Sequence, residues 1–122
     1  MKALVCGSRA WFKREPIVRE LRKLPAGSVI IHGAHWQGAD HIADEVAREL
    51  GFEVRLYPAK WASWGRAAGP RRNSEMLVLE HLPGDPIEVC LAFAEDFTQA
   101  AGTKDMQRKA RAAGIRVESF SS

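Results

Sequence analysis

Apolar residues follow two rhythms along this chain. Short β-branched runs alternate with longer stretches in which an apolar side chain returns every three or four residues, and that alternation predicts strands separated by helices. Residues 2–6 form a short apolar strand; over 13–24, Ile17, Val18, Leu21 and Leu24 recur at helical spacing until Pro25 stops the helix. A β-branched strand follows at 28–32. The cleanest helix spans 39–50, with Ile42, Ala43, Val46, Ala47 and Leu50 on one face and Gly51 after its end.

The second half continues the alternation with one interruption. Residues 52–56 predict a third strand, and 57–69 form a tryptophan-rich segment without clear periodicity, a length of loop that is usually functional or mobile. A helix begins at 70 or 71 and runs to 81, with Pro70 near its first turn and Met76, Leu77 and Leu79 as its apolar positions. Pro83-Gly84-Asp85-Pro86 is a turn, 87–93 a fourth strand, 103–113 a fourth helix and 115–120 a fifth strand after Gly114. Strands that alternate with helices predict the α/β class. The expected architecture is a parallel sheet covered on both faces, with right-handed crossovers and a ligand crevice at the carboxyl ends of the strands.

Composition bounds this picture without redirecting it. At 122 residues the chain fits one domain, 1–122, and 46% hydrophobic with 27% charged residues is ordinary for a folded protein. No apolar stretch approaches the ~20 residues of a membrane span, and the amino terminus enters a strand rather than a signal peptide, so a cytoplasmic protein without membrane contact is expected. The net charge of +3 is compatible with anionic ligands but does not select them. Cys6 and Cys90 fall inside predicted buried strands and are expected as free thiols.

Candidate chemistry gathers where strands break into glycine turns. After the first strand, Gly7-Ser8-Arg9 offers close backbone approach and two side chains that donate to phosphate oxygens. After the second, the run from His32-Gly33 to Gly38-Ala39-Asp40 precedes the best helix, and Asp40 is expected to cap that helix or to accept from a ligand hydroxyl. Gly69-Pro70-Arg71-Arg72-Asn73 forms a fourth glycine turn rich in cationic and amide donors, and Gly102-Thr103 opens the last helix with Thr103 as a cap and free amides for an anion. Trp36, Trp61 and Trp64 lie in predicted loops beside Arg66, Arg71 and Arg72, a mixture suited to stacking a base while neutralising phosphate. His35 and His41 lack the i, i+4 spacing of common zinc pairs, so neither a metal nor a cofactor is expected. The chain carries no Gly-x-x-x-x-Gly-Lys-Ser/Thr loop, no Gly-x-Gly-x-x-Gly fingerprint and no Gly-x-Ser-x-Gly elbow, which removes standard nucleotide-hydrolase, dehydrogenase and serine-hydrolase readings.

Taken in order, Leu4-Val5-Cys6-Gly7-Ser8-Arg9, His32-Gly33 with Gly38-Ala39-Asp40, Ala68-Gly69-Pro70 with Arg72-Asn73 and Met76, and Gly102-Thr103 with Met106 resemble the YspA family. That family belongs to the SLOG superfamily, which also holds cytokinin-activating phosphoribohydrolases and DNA-processing protein A. The resemblance implies a Rossmann-like three-layer sandwich with a mostly parallel five-stranded sheet. It also implies a nucleotide or nucleotide-derived ligand, such as ADP-ribose or a relative of NAD. Two positions depart from the pattern. Ala34 replaces a glycine, with one extra residue in His35-Trp36-Gln37, and Met106 stands where the phosphoribohydrolases carry the glutamate of glycosidic cleavage. Asp105 is a poor substitute, since it lies about 100° round the helix.

The resulting expectation is a ligand-binding site made by Gly7, Ser8, Arg9, Gly33, Gly38, Asp40, Gly102 and Thr103, with Gly69, Arg72 and Asn73 closing over it. Trp36, Trp61 or Trp64 would stack on the base. Two alternatives stand behind this one: hydrolysis of a nucleotide by Asp40, Glu95, Asp96 or Asp105, and, ranked last, single-stranded nucleic-acid binding. A homo-oligomer stays open.

Overall fold

The computed structural model describes residues 1–121. In chain order the elements are β1 (Lys2–Gly7), α1 (Arg14–Arg22), β2 (Val29–His32), α2 (Ala39–Glu49), β3 (Glu53–Leu56), α3 (Trp61–Trp64), α4 (Ala68–Glu80), β4 (Ile87–Phe93), α5 (Ala101–Ala112) and β5 (Arg116–Phe120). The five strands form one sheet in the order β3-β2-β1-β4-β5, and every pairing is parallel. The order reverses between β1 and β4. All five expected strands are present, and the sheet is wholly rather than mostly parallel.

Side chains alternate across the sheet and so divide the core in two. Ala3, Val5, Ile30, Val89, Leu91 and Phe93 pack with Ile17 and Leu21 of α1 and Ala43, Val46 and Ala47 of α2. On the opposite face, Leu4, Ile31, Cys90 and Ala92 pack with Met76 of α4 and Met106 and Ala110 of α5. Helices therefore cover both faces. Cys6 and Cys90 lie on this second face with sulfurs 3.8 Å apart, both free thiols. Their mutual hydrogen bond and burial hold the Cys6 thiol well above its ordinary pKa, which keeps it protonated.

The second face also contains a buried ionic cluster. Lys2 Nζ donates to the Glu80 carbonyl at 2.8 Å and lies 3.2 Å from its Oε1, Arg55 Nη1 donates to Oε1 at 2.7 Å, and the Tyr57 hydroxyl donates to Oε2. Burial alone would raise the Glu80 carboxyl. The bonds from Tyr57, Arg55 and Lys2 outweigh it and hold Glu80 below the usual carboxylate range. Burial, and then the bond to Glu80, push the Tyr57 phenol up to about 12.

Four local expectations are corrected here. Residues 57–69 are not one loop, because a helical turn at Trp61–Trp64 and a 3-10 turn at Gly65–Ala67 lead directly into α4. Gly69 and Pro70 therefore sit in the first turn of α4 instead of forming a glycine turn, a position where proline's missing N–H loses no helical bond. The buried stripe of α4 runs through Gly69, Asn73, Met76 and Glu80, which leaves Leu79 exposed. The caps differ too: Gly38 rather than Asp40 precedes α2, and α5 begins at Ala101 after Ala100, so Thr103 is buried in its first turn.

Candidate functional site

At the carboxyl ends of β1, β2 and β3 the following loops surround a cavity of about 470 Å³. Arg9 reaches it from the first loop, Gly33 to Trp36 from the second, and Pro58, Ala59 and Trp61 from the third, while Arg72 enters from α4. Beyond Gly7 one main-chain bond joins β1 to β4, Ser8 N donating to the Phe93 carbonyl at 2.8 Å, and the Ser8 carbonyl accepts from Ala39 N of α2 at 3.1 Å and from Trp11 N at 3.3 Å.

Two glycines make the cavity wall possible. Gly38 has φ of +81°, and a Cβ there would stand 2.4 Å from the Ser8 carbonyl oxygen, so a side chain would prevent the first two loops from touching. At Gly33 a Cβ would fall 2.3 Å from Arg72 Nη1, which lies directly on the glycine main chain. Ala34 takes φ of 58°, a left-handed conformation uncommon for alanine. Its amide donates to His32 Nδ1 at 2.9 Å, which leaves the ring proton on Nε2, 2.8 Å from Asp44 Oδ2.

Arg72 is the most constrained of the cationic residues. Its Nη1 donates to the carbonyls of Gly33 at 2.6 Å and Tyr57 at 3.3 Å, and its Nε donates to Asn73 Oδ1 at 3.0 Å. Asn73 Nδ2 in turn donates to the Gly102 carbonyl at 3.2 Å and to Asp105 Oδ2 at 3.0 Å. The pair thus ties the loops after β2 and β3 to the start of α5. Burial lowers the Arg72 guanidinium from its ordinary value, and the charge of Asp40 opposes that shift.

The aromatic side chains are more open. Trp36 is 76% exposed, its ring stacked on His35 with centroids 6.0 Å apart, and the Arg9 guanidinium stands 5.9 Å from the Trp61 ring centre. Such contacts give the cavity both π faces and positive charge. Asp40 is buried behind the second loop, where its Oδ2 accepts from His35 N at 3.3 Å. Burial raises its carboxyl above the usual range despite His32, the His35 amide and Arg72 nearby.

Of the residues expected from sequence, Arg9, Gly33, Trp36, Trp61 and Arg72 line this cavity. Gly7, Ser8, Gly38 and Asp40 lie behind it, and Gly69 faces Trp61, whose ring would meet a Cβ there at 3.3 Å. Asn73 bonds the Gly102 carbonyl where α4 meets α5, Thr103 is buried in the first turn of α5, and none of the three lines the cavity. Pro58 and Ala59 were missed by sequence reasoning because they carry no polar chemistry. Their position just after β3, on the same sheet edge as the glycine turns, is the signal that would have found them. Trp64 lies outside the cavity with the Arg71 guanidinium 3.9 Å from its ring centre. Glu95, Asp96 and Asp105 are not in the lining either, and Asp96 instead accepts from Thr98 N at 2.9 Å. Among the described residues no cluster of three or more His, Cys, Asp or Glu side chains forms a metal site. No helix among them is long and apolar enough to cross a membrane.

An all-parallel sheet in this order, with connecting loops gathered at the strands' carboxyl ends, defines a Rossmann-like α/β fold. Residues 1–64 match the model of the YspA, cpYpsA-related SLOG family, and the chain belongs to that family. No curated protein matches it. The matched span carries every residue that lines the cavity except Arg72.

Proposed function

We propose that this protein binds a nucleotide or nucleotide-derived ligand, of the ADP-ribose or NAD kind, in the cavity at the ends of β1, β2 and β3. The observation that carries this reading is the convergence of two accessible indoles, Trp36 and Trp61, with two guanidiniums, Arg9 and Arg72, around one cavity. Indoles stack on any base, and guanidiniums pair with phosphate oxygens. Family membership supports the same ligand class. In this reading Arg9, Gly33, Trp61 and Arg72 touch the ligand together with Trp36. Gly7, Ser8, Gly38, Asp40 and Gly69 shape the wall, and Asn73 of α4, itself bonded to the Gly102 carbonyl of α5 beside Thr103, holds Arg72.

Calorimetric titration with ADP-ribose, NAD, AMP and cyclic nucleotides tests it. At least one should bind, and Trp36→Ala, which removes an exposed side chain, should weaken that binding by roughly five- to a hundredfold. Arg72→Ala should weaken it further. Binding to none of them, or binding by both variants as tight as that of the unsubstituted protein, overturns the reading.

A second reading, cleavage of the ligand's N-glycosidic bond, would require the ligand to reach Asp40 through the second loop, since its carboxyl, raised by burial, lies behind that loop and outside the cavity lining. Incubation with nucleoside monophosphates distinguishes the two. Release of free base that is lost in Asp40→Asn supports cleavage, and intact nucleotides support binding alone.

A further inference from the structure

The cavity does not end at Pro58. Pro58 and Arg72 also border a second groove, of about 680 Å³, that follows α4 past Trp64, Pro70 and Val78. Lys60 and Arg71 line this groove with Lys109, and Glu75 is the single acid among them. Lys60 has no ion-pair partner among the described residues, whereas Lys109 is already paired to Asp105 at 2.9 Å.

Each depression repeats one combination. In the first, half-exposed Trp61 has the Arg9 guanidinium beside its ring; in the second, half-exposed Trp64 has that of Arg71. The two indoles stand three residues apart in α3, one on each side of the boundary. Arg72 lies on that boundary with its Nε and Nη1 groups committed to Asn73, Gly33 and Tyr57. Its Nη2 donates to no residue among those described. A guanidinium fixed by three bonds, with one nitrogen left over, is suited to hold an anion between the two depressions.

We propose that the ligand is two-headed. One aromatic head stacks in the first cavity, a pyrophosphate linkage crosses the saddle at Pro58 and Arg72, and a second head lies in the groove against Trp64. This rests on the nucleotide reading above and narrows it to ligands that carry an aromatic head at each end of a pyrophosphate. A single nucleotide would leave the Trp64–Arg71 pair and Lys60 without a role, whereas a linked pair of heads gains from both at little additional entropic cost.

The test compares two ligands that share a pyrophosphate and differ in the second head: ADP-ribose, with one adenine, and diadenosine pyrophosphate, with two. Calorimetry on the full chain should show the two-headed ligand binding at least tenfold more tightly, the scale of one stacked base. Trp64→Ala, a change at a half-exposed side chain, should reduce that ratio to near one, and Arg71→Ala should do the same if the first variant is misfolded by circular dichroism. ADP-ribose binding as tightly as diadenosine pyrophosphate overturns the two-headed ligand and leaves the nucleotide reading in place. An unchanged ratio in the folded variants likewise overturns the role of the second groove. Failure of both ligands to bind removes the nucleotide reading itself, and this inference with it.

Discussion

Beneath α1 and α2 the sheet presents Ala3, Val5, Ile30, Leu91 and Phe93 to apolar helix residues, and the fit depends on burial that has no preferred direction. Beneath α4, Lys2, Arg55, Tyr57, Asn73 and Glu80 occupy much of the contact, and the helix is held by hydrogen bonds that fail when distance or angle drifts. The contrast has a functional consequence. α2 carries one directional bond to the sheet, between Asp44 and His32 at 2.8 Å, whereas α4 is fixed in rotation by Glu80 at its end and Asn73 in its middle. Between them they set Arg72 against Gly33, at the edge of the cavity. Directional bonding is found where a side chain has to be aimed.

The largest expected effect breaks the polar face. Glu80→Ala removes the carboxylate shared by Lys2, Arg55 and Tyr57, while Lys2 keeps Asp85 Oδ2 at 2.9 Å, and should destabilise the protein by about 3 kcal/mol in urea unfolding, the lower end for a broken buried pair. A loss below about 1 kcal/mol would mean that α4 is held by its apolar contacts after all. Next in size is Gly38→Ala, at φ +81° and with a Cβ 2.4 Å from the Ser8 carbonyl oxygen, where about 1–3 kcal/mol is expected from backbone strain. It should also weaken ligand binding, since the first two loops would separate. Ile17→Val, on the apolar face, should cost only about 1 kcal/mol and leave ligand affinity as it was.

The smallest effect is a pH dependence to which both faces contribute, Glu80 and Asp105 on the side of α4 and α5, and, on α2, Asp44, where burial is outweighed by bonds from Arg48 and His32. Glu80 has a folded pKa below its unfolded value, so its contribution to stability is complete above the ordinary value of 4.5 and declines as pH falls through the folded value. Asp105, where burial is outweighed by bonds from Asn73, Lys109 and Arg108, acts in the same direction from 3.8 downward. Urea midpoints measured from pH 6 to 3 should therefore fall, and Glu80→Gln should flatten the upper part of that decline. An acid limb unchanged by Glu80→Gln would place the titrating groups elsewhere.

The same contrast explains what was legible in the sequence. α1 and α2 could be read because Ile17, Leu21, Ala43 and Val46 bury oil at helical spacing, and the strands could be read from their β-branched runs. The buried stripe of α4 also has helical spacing, but Gly69, Asn73 and Glu80 carry it, and a hydrophobic pattern assigns such residues to the surface. Leu79 misled for the complementary reason, since it is apolar and exposed. α3 buries no side chain, so its sequence holds no periodicity to detect. Arg9, Gly33, Trp61 and Arg72 were legible as candidate site residues from their types and their place after strands. The separation of Asn73, Gly102 and Thr103 from the cavity was not, because it depends on how closely β1 and β4 join beyond Gly7.

The four tryptophans offer the most direct test of the cavity as the ligand site. Trp36 and Trp61 line it, Trp64 stands in the neighbouring groove, and Trp11 is buried on the opposite face against Phe93, with ring centroids 5.6 Å apart. Nitrogen-15 correlation spectra of the indole N–H groups, recorded during a titration with ADP-ribose, resolve all four at once. The indole signals of Trp36 and Trp61 should move in a saturable manner while that of Trp11 stays fixed; signals of Trp36 and Trp61 that do not move, or four that move alike, would contradict the account.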